Sequence, residues 1–124
     1  MDREEVHGYC SSLVLNEVFH KLMMSEIVGK FGVQARVASG LFKQRPEIIR
    51  ELSDVWAEMD IINSINITIL NGQIFPEFVD LSKKYRLLAM DSAHLAVMRR
   101  NGQTNLATND TDFSRVAELK IWKP

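Results

Sequence analysis

Residues 87–113 read LLAMDSAHLAVMRRNGQTNLATNDTDF, two well-punctuated units that carry three carboxylates. The first unit has the period of an amphipathic helix. Asp91 sits in its first turn, Leu95, Ala96 and Met98 fall at helical spacing, and Arg99-Arg100 precede an Asn101-Gly102 stop. From that turn the chain runs through Asn105-Leu106-Ala107-Thr108, short enough for a buried strand, into Asn109-Asp110-Thr111-Asp112-Phe113, which has the residues of a helix-opening cap. Asp91 and Asp110 are therefore both expected at helix starts.

In an open, mostly parallel α/β sheet, helices start at the carboxyl ends of strands, so such residues converge on one edge where ligands bind. Two acids there can share a divalent metal. Each Asp also has a simpler explanation, because an acid at a helix start satisfies free N–H groups and complements the helix dipole.

Taken together, Asp91-Ser92-Ala93-His94-Leu95-Ala96, the Gly102 turn and Thr108-Asn109-Asp110-Thr111-Asp112-Phe113 resemble the C-terminal half of a PIN domain. That family of metal-dependent ribonucleases shows D-A-x-x-A, a Gly turn and T-x-D-x-D-F, and many of its members are toxins of VapBC-type toxin–antitoxin pairs. Ser92 stands where the family has a small Ala. The tail Leu119-Lys120-Ile121-Trp122-Lys123-Pro124 resembles the family's closing strand. The resemblance implies a three-layer α/β fold with a short, mostly parallel sheet flanked by helices. It also implies RNA as substrate, Mg²⁺ or Mn²⁺ as cofactor, and Asp91, Asp110 and Asp112 as metal-site acids.

A fourth acid comes from the first helix. Ser11-Ser12 offers a cap, Val14, Val18 and Leu22 recur every fourth residue, and the apolar face ends by Gly29. Glu17 lies at the border of that face with Lys21 four residues on, and an exposed Glu17–Lys21 pair is one sufficient reading, worth about 0.3–0.5 kcal/mol. The segment from Ser12 to Val18 also resembles the family's S-x-x-x-x-E-V helix, whose Glu belongs to the metal site. By that resemblance Glu17, Asp91 and Asp110 are the catalytic acids, with Asp112 as a further ligand that can instead cap the Phe113 helix.

The family normally opens with a strand ending in D-T/S-N, and this sequence offers no counterpart. Asp2 precedes Arg3-Glu4-Glu5 with no apolar strand before it and is not given that role. The expectation is a single PIN-like domain over residues 1–124, N-terminally incomplete. Its missing first strand would be central, between the strands near Cys10 and Leu106. Two functions follow from that. One is a metal-dependent ribonuclease; the other is a degenerate, catalytically weak PIN-like module that dimerises or binds an antitoxin.

Elsewhere, Val33 to Lys43 reads as a weak helix interrupted by Gly40, and Pro46 opens a stronger one. In the latter, Ile48, Ile49, Leu52, Val55, Trp56, Met59 and Ile62 form one stripe, expected to be core with any surplus in a homodimer contact. Asn66 to Leu70 is a β-branched strand closed by Asn71-Gly72, and Pro76 opens a further helix.

A chain of 124 residues, 46% apolar and 25% charged, is ordinary globular composition. A net charge of −1 gives no global attraction to nucleic acid, so a polyanion must be held by local cations or by metal. Lys83, Lys84, Arg86, Arg99 and Arg100 are the candidate phosphate contacts, although Arg99 and Arg100 are also suited to a helix C-terminus. Cys10 is a lone thiol without a His/Asp partner arrangement, and His94 at D-x-x-H spacing belongs to no zinc motif. The absence of a basic, apolar leader points to the cytoplasm, and no apolar run approaches the roughly 18 residues a membrane helix needs.

Overall fold

The computed structural model describes residues 6–124, and Asp2 lies outside them. The chain forms two compact units, one built from Leu13–Ile67 with residues 6–8, the other from Tyr9–Ser12 and Thr68–Pro124.

In the first unit, helix α1 (Ser12–Phe31) is followed by α2 (Ala35–Gln44), a 3₁₀ turn (Pro46–Glu51) and α3 (Asp54–Ser64). Ile27, Ala38, Ile48, Leu52 and Val55 form its core, with Leu22, Leu41 and Met59 packed around them. Phe19 and Trp56 meet with ring centroids 6.0 Å apart. Helix α2 passes through Gly40 without a break, although Gly costs about 1 kcal/mol against Ala in a helix interior.

The single helix expected from Pro46 to Ile62 is instead two pieces, and Glu26 supplies the reason. Its buried carboxylate accepts from the Ser53 N–H at 2.7 Å, Asp54 N–H at 3.2 Å and Val55 N–H at 2.9 Å. These are N-terminal donors that a helix leaves unpaired. Satisfying them from α1 starts α3 afresh at Asp54, while Leu52 turns extended at ψ 141°. The stripe divides accordingly. Ile48, Leu52 and Val55 are buried, whereas Ile49 and Trp56 are exposed. Lys30 pairs with Glu26 at 3.3 Å and also donates to the Glu51 carbonyl and, at 3.2 Å, to Ser53 Oγ.

In the second unit, β1 (Gly8–Ser11) pairs with β2 (Ile67–Leu70). Two helices, α4 (Glu77–Tyr85) and α5 (Ala89–Arg100), precede β3 (Asn105–Ala107), a 3₁₀ turn (Thr111–Arg115) and β4 (Lys120–Trp122). Strands β3 and β4 are parallel, with Leu106 opposite Ile121. The expected α/β architecture of short strands among helices is present. The sheet, however, is two strand pairs rather than one piece, since among the described residues no strand hydrogen-bonds to both pairs. Leu81, Leu87, Leu95, Ala96 and Val116 form the core of this unit.

Helix α5 ends as Asn101-Gly102 demands. Gly102 adopts φ 66°, its N–H reaches the Arg99 carbonyl at 3.2 Å and Gln103 N–H reaches Met98 at 2.9 Å, the paired bonds of a Schellman cap. Among the described residues no helix is long and apolar enough to cross a membrane.

Candidate metal centre

Asp91 stands in the first turn of α5, half-buried, on a helix anchored by buried Leu95, Ala96 and Val97. Ser92 beside it is fully buried, and its hydroxyl donates to the Ala89 carbonyl at 2.8 Å. That bond satisfies the one polar atom by which this helix start departs from the family's Ala.

The other two acids are set by the turn after β3. Thr108 Oγ1 accepts from Asp110 N–H at 3.0 Å, and Asp110 Oδ1 accepts from Asp112 N–H at 2.9 Å, so side chains take over bonds that no helix or strand supplies here. Asp110 is thus the cap of the Thr111–Arg115 turn, and Asp112 is left to face its neighbours. Phe113, 5% exposed, and the fully packed Val116 anchor the turn in the core.

The result is a cluster in which Asp91, Asp110 and Asp112 each offer a carboxylate oxygen, all within 4.8 Å of one another. Two like unit charges at that separation repel by about 1 kcal/mol in water and about 3 kcal/mol at an effective dielectric near 20. A cation between them reverses the sign of those interactions. The donor set is all hard oxygen, half-buried at Asp91 and Asp112 and exposed at Asp110, which leaves room for bound water. That suits Mg²⁺ or Mn²⁺ rather than a site built from imidazole or thiolate. His94 is not a member of the group.

Glu17 belongs to the first unit, half-buried on α1. The cationic candidates divide. Arg99 donates from Nε to Glu118 at 2.7 Å and from Nη2 to the Tyr85 hydroxyl at 2.9 Å; Glu118 beside it pushes the guanidinium pKa further up against the effect of burial. Arg100 reaches Glu77 at 3.3 Å. Both are held by acids of their own, as their place at the end of α5 suggests. Lys84 lies over the Tyr85 ring, 5.2 Å from its centroid. Arg115, which the sequence reading passed over, donates from Nη2 to Asp112 Oδ1 at 3.2 Å. Its signal was present as an acid–base pair at i,i+3 spacing. Burial pushes the Cys10 thiol pKa up, as fits an inert cysteine.

Neither a curated protein nor a solved structure matches the chain. The model of one family, described as PIN domain, matches residues 3–119, which takes in both units and the whole aspartate cluster. Such domains have a nuclease-type fold and generally use divalent metal to act on RNA, and the three aspartates here are compatible with holding one. By this match, over nearly its full length, the chain belongs to the PIN domain family.

Proposed function

We propose that the chain is a metal-dependent ribonuclease that hydrolyses RNA phosphodiesters, with Asp91, Asp110 and Asp112 as ligands of Mg²⁺ or Mn²⁺. The observation that supports this most is the convergence of three carboxylate oxygens within 4.8 Å in a PIN domain chain. A divalent cation held by these aspartates would supply Lewis-acid polarisation of the phosphate and a water of lowered pKa. The chain's own contribution is placement. Helix α5 positions the Asp91 backbone and the Asp110 cap positions that of Asp112, which brings the carboxylates together before a cation arrives. Glu17 is proposed as a further catalytic acid on the strength of its S-x-x-x-x-E-V motif alone.

The same proposal places the protein in the VapC-type branch, in the cytoplasm, as a homodimer with an antitoxin protein as partner. A second reading, a catalytically weak PIN-like module for dimerisation or antitoxin binding, is favoured by the sheet's division into two strand pairs, whose open edges suit added strands. One assay separates the two readings. Single-stranded RNA is incubated with the chain in Mn²⁺ and in EDTA, alongside Asp91→Asn, Asp110→Asn and Glu17→Gln. Cleavage that EDTA and each Asp variant abolish is expected. Cleavage insensitive to chelator and to Asp91→Asn moves the chemistry elsewhere, and no cleavage at all supports the second reading.

A further inference from the structure

Asp112 Oδ1 accepts from Arg115 Nη2 at 3.2 Å, and the second terminal nitrogen of Arg115, Nη1, donates to the Arg86 carbonyl oxygen at 2.7 Å. The guanidinium is therefore held on two sides, by a carboxylate of the cluster and by a fixed backbone oxygen. That oxygen belongs to the C-cap of α4, where Arg86 takes the left-handed conformation, φ 56° and ψ 47°. A non-glycine residue there carries about 1–2 kcal/mol of strain. The turn is kept by the Leu87 N–H on the Ser82 carbonyl at 3.2 Å and by Ser82 Oγ on the Leu87 carbonyl at 2.6 Å. Arg115 thus rests on an anchor independent of the aspartates.

Charge shows what such an arginine can do. Three ionised carboxylates around one divalent cation leave a site of net −1, which repels a phosphodiester of the same sign. Arg115 adds a positive charge beside Asp112.

We propose that Arg115 is a phosphate-binding residue of this centre, a role that rests on the reading of the cluster as a metal-dependent nuclease site. A cation bound by Asp112 competes with Arg115 for that carboxylate. Nη2 is then released to a non-bridging phosphate oxygen of the RNA, while Nη1 stays on the Arg86 carbonyl. Arg115 accordingly opposes metal and favours RNA. That pair of opposite effects distinguishes it from a residue that merely braces the turn.

The test measures both equilibria without turnover. Mn²⁺ binding is followed by electron paramagnetic resonance, and binding of a fluorescein-labelled phosphorothioate RNA oligonucleotide, with Mn²⁺ present, by anisotropy across a salt series. For Arg115→Ala, Mn²⁺ affinity is expected to rise about 2–5-fold, as loss of an exposed competing ion pair allows. RNA affinity is expected to fall by about tenfold or more, and the salt slope by about 0.7, one phosphate contact on a single strand. Arg115→Lys keeps the charge but not the two-sided hold. It should retain the salt slope with an intermediate loss of RNA affinity, and it serves as the folded reference should the alanine variant melt early. Unchanged RNA affinity, or Mn²⁺ and RNA affinities falling together, overturns the role of Arg115 while leaving the metal centre standing. Failure of the wild-type chain to bind Mn²⁺ removes the centre and this proposal with it.

Discussion

Replacing Glu26 by glutamine should remove the buried charge that caps α3 from α1. Burial raises the pKa of this carboxyl, but N–H donors from Ser53, Val55 and Asp54 and the Lys30 ammonium outweigh it and hold the group down to about 2, from an ordinary 4.5. A depressed carboxyl stabilises the fold above its unfolded pKa and ceases to do so as pH falls through its folded one. The contribution is therefore complete above about pH 5, roughly halved near pH 3 and nearly gone at pH 2, and a shift of this size corresponds to about 3 kcal/mol. Glutamine keeps an acceptor oxygen but not the charge, so a loss of about 2–3 kcal/mol at pH 7 is expected. Urea denaturation of both proteins from pH 7 to pH 2.5 measures it. The wild type should be the more stable at pH 7, with the gap closing below about pH 4.5. A gap of the same size at every pH, or none at pH 7, would refute the tertiary cap as the start of α3.

Three further substitutions probe other links in the chain. Ser92→Ala exchanges a satisfied buried hydroxyl for the family's small residue and should change stability by less than about 1 kcal/mol by thermal melting, with Mn²⁺ affinity unaltered. Gly102→Ala places a Cβ at φ 66° and should cost about 1–2 kcal/mol in denaturant, although no heavy atom obstructs the site. Arg99→Gln breaks contacts to Glu118 and Tyr85 and should lower stability by about 1–2 kcal/mol, yet leave the salt dependence of RNA binding unchanged. A lowered salt slope there would return Arg99 to the phosphate contacts.

Local signals carried much of the second unit. Asp91, the Asn101-Gly102 stop, Asn105 to Thr108 and the Asp110 cap were all readable because each depends on residues within a few positions of one another, whereas the metal-site role of the three aspartates came from the resemblance to the PIN-domain motif. The first unit was less legible. The break at Leu52-Ser53 depends on Glu26, 27 residues earlier in the chain, and no periodicity in Pro46 to Ile62 announces it. The pairing of Arg115 with Asp112 was legible at i,i+3 spacing, but its anchor on Arg86, 29 residues away, was not. Gly40 misled in the other direction, because packing of Ala38 and Leu41 against the core outweighs the weak helix propensity of one glycine. Arg99 and Arg100 look alike in sequence, and only the positions of Glu118, Tyr85 and Glu77 show that both are already engaged.

The central claim is that Asp91, Asp110 and Asp112 together hold a divalent cation, and Mn²⁺ titration followed by electron paramagnetic resonance tests it without recourse to activity. The wild-type chain should bind one Mn²⁺ in competition with Mg²⁺. Asp91→Asn and Asp110→Asn should each weaken that binding at least about tenfold, as loss of a charged ligand requires, while circular dichroism stays unchanged. Mn²⁺ affinity unchanged from the wild type in both variants would contradict the account.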